Sequence, residues 1–238
     1  MIEMNNKKIA VITGASKGIG RSVADILLAR KYTVINLSRS KPSEKSNSIF
    51  IKTDVSNELN CKKSFDKIVK KFGRIDILVN SAGVLTVPDD ITNLKSLKKH
   101  FEPNMFGSFY CSHFAAKQMK KQGYGQIVNI SSTSGVSFKE SQLSYIASKW
   151  AVTGFSGSLR LELQKHGIDV ICFCPGGTKT DLFRHMEKGH AKDFMDPKEV
   201  AGKIVEVMER EDKNKWLFIY TRKERILKGY SFEDYPLP

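Results

Sequence analysis

The sequence predicts an α/β fold: one doubly wound domain built on a parallel sheet of about seven strands, with helices on both faces. Three observations carry this prediction. Short apolar runs alternate with longer amphipathic segments along the whole chain, the order expected of repeated βα units. The apolar runs are continuous rather than alternating, as in strands covered on both faces. A glycine-rich turn joins the first apolar run to the first amphipathic segment.

In order, the strand-like runs cover residues 9–12, 33–37, 49–51, 75–79, 126–130, 169–173 and 216–220. The helical patterns cover 18–30, 58–72, 94–122, 144–166 and 197–211. Residues 41–48 read as a polar loop, not a domain linker, and no internal repeat or low-complexity segment interrupts the pattern. With 238 residues, 40% of them hydrophobic, the chain can build one sizeable core, so residues 1–238 are read as a single domain. Ligand is expected beyond the carboxyl ends of the strands. Within 94–122, Pro103 frees a backbone carbonyl and predicts a kink that sets Asn104 at a distortion. Asp196-Pro197 opens the last long helix, with proline at a first-turn position.

Lysine and arginine number 39 against 25 acidic residues, a formal charge of +14. Such a charge attracts anionic surfaces non-specifically. The basic residues are scattered over polar helix faces, as at Lys62-Lys63, Lys70-Lys71 and Lys120-Lys121, with no basic stripe interleaved with aromatics. The pattern predicts a solvated surface that helps attract an anionic cofactor or substrate, and no specific nucleic-acid partner. No apolar run approaches the length of a membrane span. Residues 1–8 are acidic and polar where a secretory segment would be apolar, which predicts no signal peptide. Cys61, Cys111, Cys172 and Cys174 form no C-x-x-C pair and read as reduced, buried thiols of a cytoplasmic protein. His185 and His190 have no supporting cluster, so no metal site is expected.

The chemistry-bearing residues fall at strand ends. The turn Thr13 to Gly20 has the spacing G-x-x-x-G-x-G between a strand and a helix. Its candidates for cofactor binding are Gly14, Ser16, Lys17, Gly18, Ile19 and Gly20. Glycines there permit a tight turn and let backbone N–H groups approach a pyrophosphate at the helix N-terminus. After the second strand come Ser38 and Arg39, where an NAD binder would usually carry a carboxylate for the ribose hydroxyl. Arg39 can fork onto a 2′-phosphate and Lys17 can add a point charge, which points to NADP(H). Asp54-Val55 follows the third strand, where the carboxylate can accept from an adenine amino group or cap a turn. Asn80-Ser81-Ala82-Gly83 ends the fourth strand with small residues that suit a flat cofactor, and Ser132 follows the fifth.

Tyr145 and Lys149 open a segment whose apolar residues Val152, Phe155, Leu159 and Leu163 recur at helical spacing. Four apart on a helix, the two side chains share a face. A free phenol titrates at about 10. An adjacent ammonium favours the phenolate, so the pair is expected to have a lowered tyrosine pKa and to exchange a proton during turnover. Alone, the pair also reads as a half-buried tyrosine beside a snorkelling lysine. A hydroxyl at Ser132 can hydrogen-bond a carbonyl oxygen as charge develops on it.

With Pro175-Gly176-Gly177-Thr178-Lys179-Thr180, this ordered set resembles the short-chain dehydrogenase/reductase family, in its NADP-preferring carbonyl and 3-oxoacyl reductase branch, over residues 7 to about 220. The resemblance implies a Rossmann-type fold and a catalytic tetrad of Asn104, Ser132, Tyr145 and Lys149. Tyr145 would be the proton donor in reduction, Lys149 would bind the nicotinamide ribose, Ser132 would orient the carbonyl, and Asn104 would hold a relay water. It also implies cofactor contacts from Asp54, Val55, Asn80, Ala82 and Gly83, and from Pro175, Gly176, Thr178 and Thr180 near the nicotinamide. Ser81 replaces the second asparagine of the usual N-N-A-G motif, and Pro103 stands where valine is more common. Residues 181–195 are expected to form a substrate lid. The tail at 221–238 departs from the family's glycine-rich end, which leaves a homo-oligomer expected as dimer or tetramer.

The leading expectation is an NADPH-dependent reductase of a small-molecule ketone or aldehyde. Leu85, Ser134, Phe138, Leu143, Phe183 and Met186 are expected around its substrate cavity. The alternatives are an NAD-dependent alcohol dehydrogenase, and a non-catalytic nucleotide-sensing or nucleic-acid-binding protein supported by the +14 charge.

Overall fold

The computed structural model describes residues 7–140, 142–183, 193–223 and 225–234. The central part of the expected lid, residues 184–192 with His185, Met186 and His190, lies outside the described residues, as do 1–6 and 235–238.

The sheet strands are β1 (Ile9–Thr13), β2 (Thr33–Ser38), β3 (Ile49–Lys52), β4 (Ile77–Asn80), β5 (Gly125–Ile130), β6 (Ile168–Pro175), β7 (Leu217–Tyr220) and β8 (Leu227–Tyr230). They form one eight-stranded sheet in the order β3-β2-β1-β4-β5-β6-β7-β8. The pairs from β3 through β7 are parallel, and β8 pairs antiparallel with β7. The expected doubly wound parallel sheet is therefore present, with an eighth strand drawn from the tail. Its Leu-Lys-Gly-Tyr sequence is only half buried and charged in its middle, so it carries no continuous apolar signal.

The helices are α1 (Gly18–Ala29), α2 (Glu58–Phe72), α3 (Leu94–Phe101), α4 (Gly107–Gln122), α5 (Leu143–Leu163) and α6 (Pro197–Met208). Alternate residues of β1 show how the layers form. Ala10 and Ile12 join a core with Val23 and Leu27 of α1 and Val200, Ala201 and Ile204 of α6. Ile9 and Val11 join the opposite core with Phe65 and Ile68 of α2, Cys111 and Met119 of α4 and Leu163 of α5. Both faces of the strand are buried, which is why its sequence lacks alternation.

The segment expected as one helix over 94–122 is two helices joined by a π turn, Glu102–Phe106. Pro103 occupies the start of that turn and cannot donate to the ladder, so the chain closes with a wider bond from Gly107 N–H to the Glu102 carbonyl. The four cysteines are free and buried. Behind the sheet end, Asp169 of β6 accepts from Arg160 of α5 at 2.7 Å and Arg210 just past α6 at 3.0 Å, and it also meets Gln126 of β5 at 3.0 Å. Burial raises the proton affinity of Asp169, but its bonds to Arg210, Gln126 and Arg160 outweigh this and hold the pKa below the ordinary value. This cluster ties two strands to both faces' helices.

Candidate active site

The strand order reverses between β1 and β4, and the crevice at their carboxyl ends is where such sheets bind ligands. A cavity of about 370 Å³ opens there. That volume lies in the range of about 300–1,000 Å³ expected of cofactor and small-molecule sites.

The glycine turn forms one wall. Gly14 has φ +70°, and a Cβ on it would lie 2.9 Å from Ala82 Cα, so only glycine lets β1 and β4 approach this closely. A Cβ on Gly20 would lie 2.8 Å from the Gly14 carbonyl oxygen. Thr13 Oγ1 accepts from the N–H groups of Ser81 and Ala82 at 3.0 Å each, which locks the two strand ends together. Ser16 Oγ donates to the Ser40 carbonyl and accepts from Asn36 at 3.2 Å, tying the turn to β2. No side chain caps the start of α1, so its first N–H groups are left for an anion. These features fit a dinucleotide pyrophosphate.

At the far end of this wall, Ser38 and Arg39 line the cavity, as do Asp54 and Val55. Arg39 is exposed. Asp54 accepts from Ser56 N–H at 3.0 Å, so it is also a turn cap. Lys17 forms a 2.7 Å ion pair with Asp181 across the cavity mouth, so its charge is shared with a carboxylate that the sequence reading did not connect to it.

Opposite the glycine turn lie Ser132, Tyr145 and Lys149, all in the cavity wall. Ser132 follows β5 and caps the next turn by accepting from Ser134 N–H at 3.1 Å. Tyr145 and Lys149 occupy one face of α5, with the ammonium 5.9 Å from the ring centroid. Lys149 Nζ donates to the Ile130 carbonyl at 3.0 Å. Burial pushes the Tyr145 phenol up to about 12, and its hydrogen bond with Ser132 only partly opposes this. Burial likewise pushes Lys149 down to about 8. The expected lowering of the tyrosine pKa by Lys149 is thus overturned within the protein's own groups. Desolvation of the phenolate dominates, even though Lys149 with its value of about 8 still carries its charge at neutral pH. The phenol is protonated at neutral pH.

The remaining candidates divide. Gly14, Ser16, Lys17, Gly18, Ile19, Ala82, Gly83, Pro175, Gly176, Thr178 and Thr180 line the cavity. Gly20, Asn80 and Asn104 do not. The Asn80 side chain is buried and donates to Ser112 at 2.9 Å and Asn129 at 2.8 Å, in a polar belt below the strand ends. Asn104, turned inward by the π turn, accepts from Val84 N–H at 2.8 Å and donates to the Val84 carbonyl at 3.1 Å and to Ser148 at 3.0 Å. Its amide thus clamps the loop at Gly83-Val84 beside Lys149, rather than facing the cavity.

Of the substrate-cavity expectations, Leu85 and Phe183 line it. Ser134 is buried in its turn, Leu143 is half exposed, and Phe138 stacks on Trp150 at 5.3 Å, so none of the three reaches the wall. Met186 lies outside the described residues. The ends of the expected lid are anchored, with Lys179 N–H bonding the Met195 carbonyl and Met195 N–H bonding the Gly177 carbonyl, both at 2.9 Å. The sequence reading missed Asp89, Ser96 and His100, which converge on the start of α5. No motif flags them, since Pro88-Asp89-Asp90 reads as an ordinary loop. Among the described residues no group of His, Cys, Asp and Glu is arranged to hold a metal ion. Nor is any helix among them long and apolar enough to cross a membrane.

Comparison with known proteins agrees with this geometry. The family profile described as short chain dehydrogenase matches residues 8–191. Human 15-hydroxyprostaglandin dehydrogenase (NAD(+)) is 30% identical over 97% of this chain and 95% of its own length. The 3-oxoacyl-(acyl-carrier-protein) reductase FabG of Buchnera aphidicola subsp. Baizongia pistaciae is 33% identical over 84% of this chain and 86% of its own. Among solved structures, ElxO with NADP bound superposes with a TM-score of 0.82 at 29% identity, covering 91% of this chain and 98% of that one.

Proposed function

The chain belongs to the short chain dehydrogenase family, and we propose that it is an NADPH-dependent reductase of a small, largely apolar ketone or aldehyde, with Tyr145 as proton donor. It is an oxidoreductase of that family; the cofactor, direction and substrate class are our reading. One observation carries it: Ser132, Tyr145 and Lys149 line the same cavity as the glycine turn.

When bound, the reduced nicotinamide supplies the hydride that the carbonyl carbon accepts. The protein's own groups do the rest. The hydrogen-bonded hydroxyls of Ser132 and Tyr145 are the donors for the carbonyl oxygen as it gains charge. Tyr145, still protonated at neutral pH, gives its proton to that oxygen, and an alkoxide is a stronger base than the phenolate left behind. Lys149 would hold the ribose of the bound cofactor and, titrating at about 8, could pass a proton back toward Tyr145. Asn104 acts through the loop at Gly83-Val84. Val84, Leu85, Leu182 and Phe183 give part of the cavity wall an apolar character that favours a carbonyl with an apolar substituent.

NADPH is favoured by Arg39 in the cavity wall, where a carboxylate for the ribose hydroxyl is missing. The human relative is named for NAD(+) and the ElxO structure holds NADP, so cofactor choice rests on this chain's own residues. A cytoplasmic setting suits its four free thiols. A homodimer through α4 and α5 suits Phe109, which meets Phe155 at 5.1 Å yet is 47% exposed. The test is NADPH and NADH oxidation across diketones, acyl thioesters, quinones and aldehydes, repeated with Arg39→Asp. We expect NADPH to be preferred, and its advantage over NADH in kcat/KM to fall about 100-fold in the variant, the worth of a forked Arg–phosphate pair. An unchanged ratio would refute the cofactor assignment, and no turnover on any carbonyl would refute the activity.

A further inference from the structure

The start of α5 is capped from outside the helix. Its own N-cap residue, Gln142, makes no side-chain cap bond. The orphan N–H groups are taken instead by Asp89, in the loop between β4 and α3. The Asp89 carbonyl accepts from Leu143 N–H at 3.3 Å. Its carboxylate accepts from Ser144 N–H at 3.2 Å and Tyr145 N–H at 2.9 Å. The same carboxylate accepts from the hydroxyl of Ser144, and from Ser96 of α3 at 2.8 Å. It is 2% exposed. Burial alone would raise its proton affinity, but bonds from Ser144, Tyr145 and Ser96 hold it below the ordinary carboxylate value, so it stays charged at the positive end of the helix.

His100 of α3 completes the cluster. Its Nε2 accepts from Thr86 N–H at 3.0 Å, which leaves the ring proton on Nδ1. Nδ1 lies 3.4 Å from Ser144 Oγ and 3.7 Å from Asp89 Oδ2. The ring is fully buried and meets the Tyr145 ring edge-on, with centroids 5.8 Å apart. The backbone of Tyr145 is therefore held by a buried charge and its ring is backed by a buried imidazole.

We propose that Asp89 is a positioning residue for the reduction: by binding the first turn of α5 it fixes where the Tyr145 hydroxyl sits against Ser132. The claim rests on the reading of Tyr145 as proton donor. A helix cap that merely stabilised the fold would serve as well at any helix. Asp196 at α6 is such a cap, accepting from Lys198 N–H at 2.7 Å without lining the cavity or touching α5, and it supplies the control.

The experiment compares wild type with Asp89→Ala, Asp89→Asn and Asp196→Ala. It measures kcat and KM for the best carbonyl, NADPH affinity by fluorescence, and the pH titration of Tyr145 by NMR of ¹³Cζ-labelled tyrosine, assigned with Tyr145→Phe. A misplaced donor costs about 10–100-fold in kcat. We expect that loss in Asp89→Ala, with KM and NADPH affinity within about 3-fold of wild type. Asp89→Asn keeps an acceptor oxygen and recovers part of the rate, and it carries the test if the alanine variant does not fold. In Asp89→Ala the hydroxyl leaves the Ser132 bond that lowers its proton affinity, so the Tyr145 signal, which Lys149, Cys174 and His100 also face, titrates above its wild-type value. Asp196→Ala matches wild type in rate. Asp89 variants whose kcat and Tyr145 titration both match those of Asp196→Ala would overturn the proposal. If wild type reduces no carbonyl, the functional reading falls, and an unchanged Tyr145 titration in the Asp89 variants then overturns the positioning role on its own.

Discussion

Tyr145 and Lys149 share one face of α5, and burial moves their proton affinities in opposite directions, up to about 12 and down to about 8. Each shift makes the neutral form the easier one to bury. For Lys149 this has a cost in stability. Its folded pKa lies below the unfolded value of about 10.4, so below pH 8 the folded chain carries a buried ammonium, and the penalty disappears as pH rises toward the unfolded value. Lys149→Met is accordingly expected to be more stable than wild type by about 1–3 kcal/mol at pH 7 and to lose that advantage near pH 10.5, as read by urea melts without cofactor. A variant less stable at pH 7 would contradict it. The sequence made this pair visible through its spacing, together with Ser132 and the glycine turn. It hid the sign of the tyrosine shift, because periodicity places two side chains on a face without saying how dry that face is. It hid Asp89 and His100 for a related reason: their partners on α5 lie far away in the chain.

At the scale of elements, the glycine turn and α1 were legible because glycine spacing and helical periodicity meet at one boundary. The π turn at Glu102–Phe106 was legible only as a kink at Pro103. What it achieves became visible in three dimensions: Asn104 is swung under Val84, and Gly107 is brought so close to Val55 that a Cβ would lie 2.8 Å from its methyl. The turn therefore supports the loop at Gly83-Val84 and the segment at Val55 at once. Asn104→Ala removes the partners of both Val84 backbone groups. We expect a loss of about 1–3 kcal/mol in unfolding free energy. We also expect kcat to fall at least about 10-fold as the loop beside Lys149 loosens. A melting temperature equal to wild type would contradict the clamp. Strand β8 stayed hidden because an edge strand needs no apolar signal of its own.

At the scale of the molecule, the order β3-β2-β1-β4-β5-β6-β7-β8 puts the ends of β1, β4, β5 and β6 side by side, so residues from Gly14 to Thr180 reach one cavity. The alternation of elements and their continuous apolar runs were enough to anticipate this layout, since parallel strands with right-handed crossovers leave few other arrangements. Which strand-end side chains face the cavity was not legible. Asn80 and Ala82 are two apart in sequence, yet one is buried in a polar belt and the other lines the wall. The proposed reduction then depends on a protonated phenol at the cavity wall. The most direct test is single-turnover reduction by Tyr145→Phe with NADPH prebound. The phenyl ring fills the same space without the proton, so we predict a fall in rate of at least about 1,000-fold, of the order expected on removing a general acid, with NADPH affinity nearly unchanged. Reduction at the wild-type rate by that variant would contradict the account.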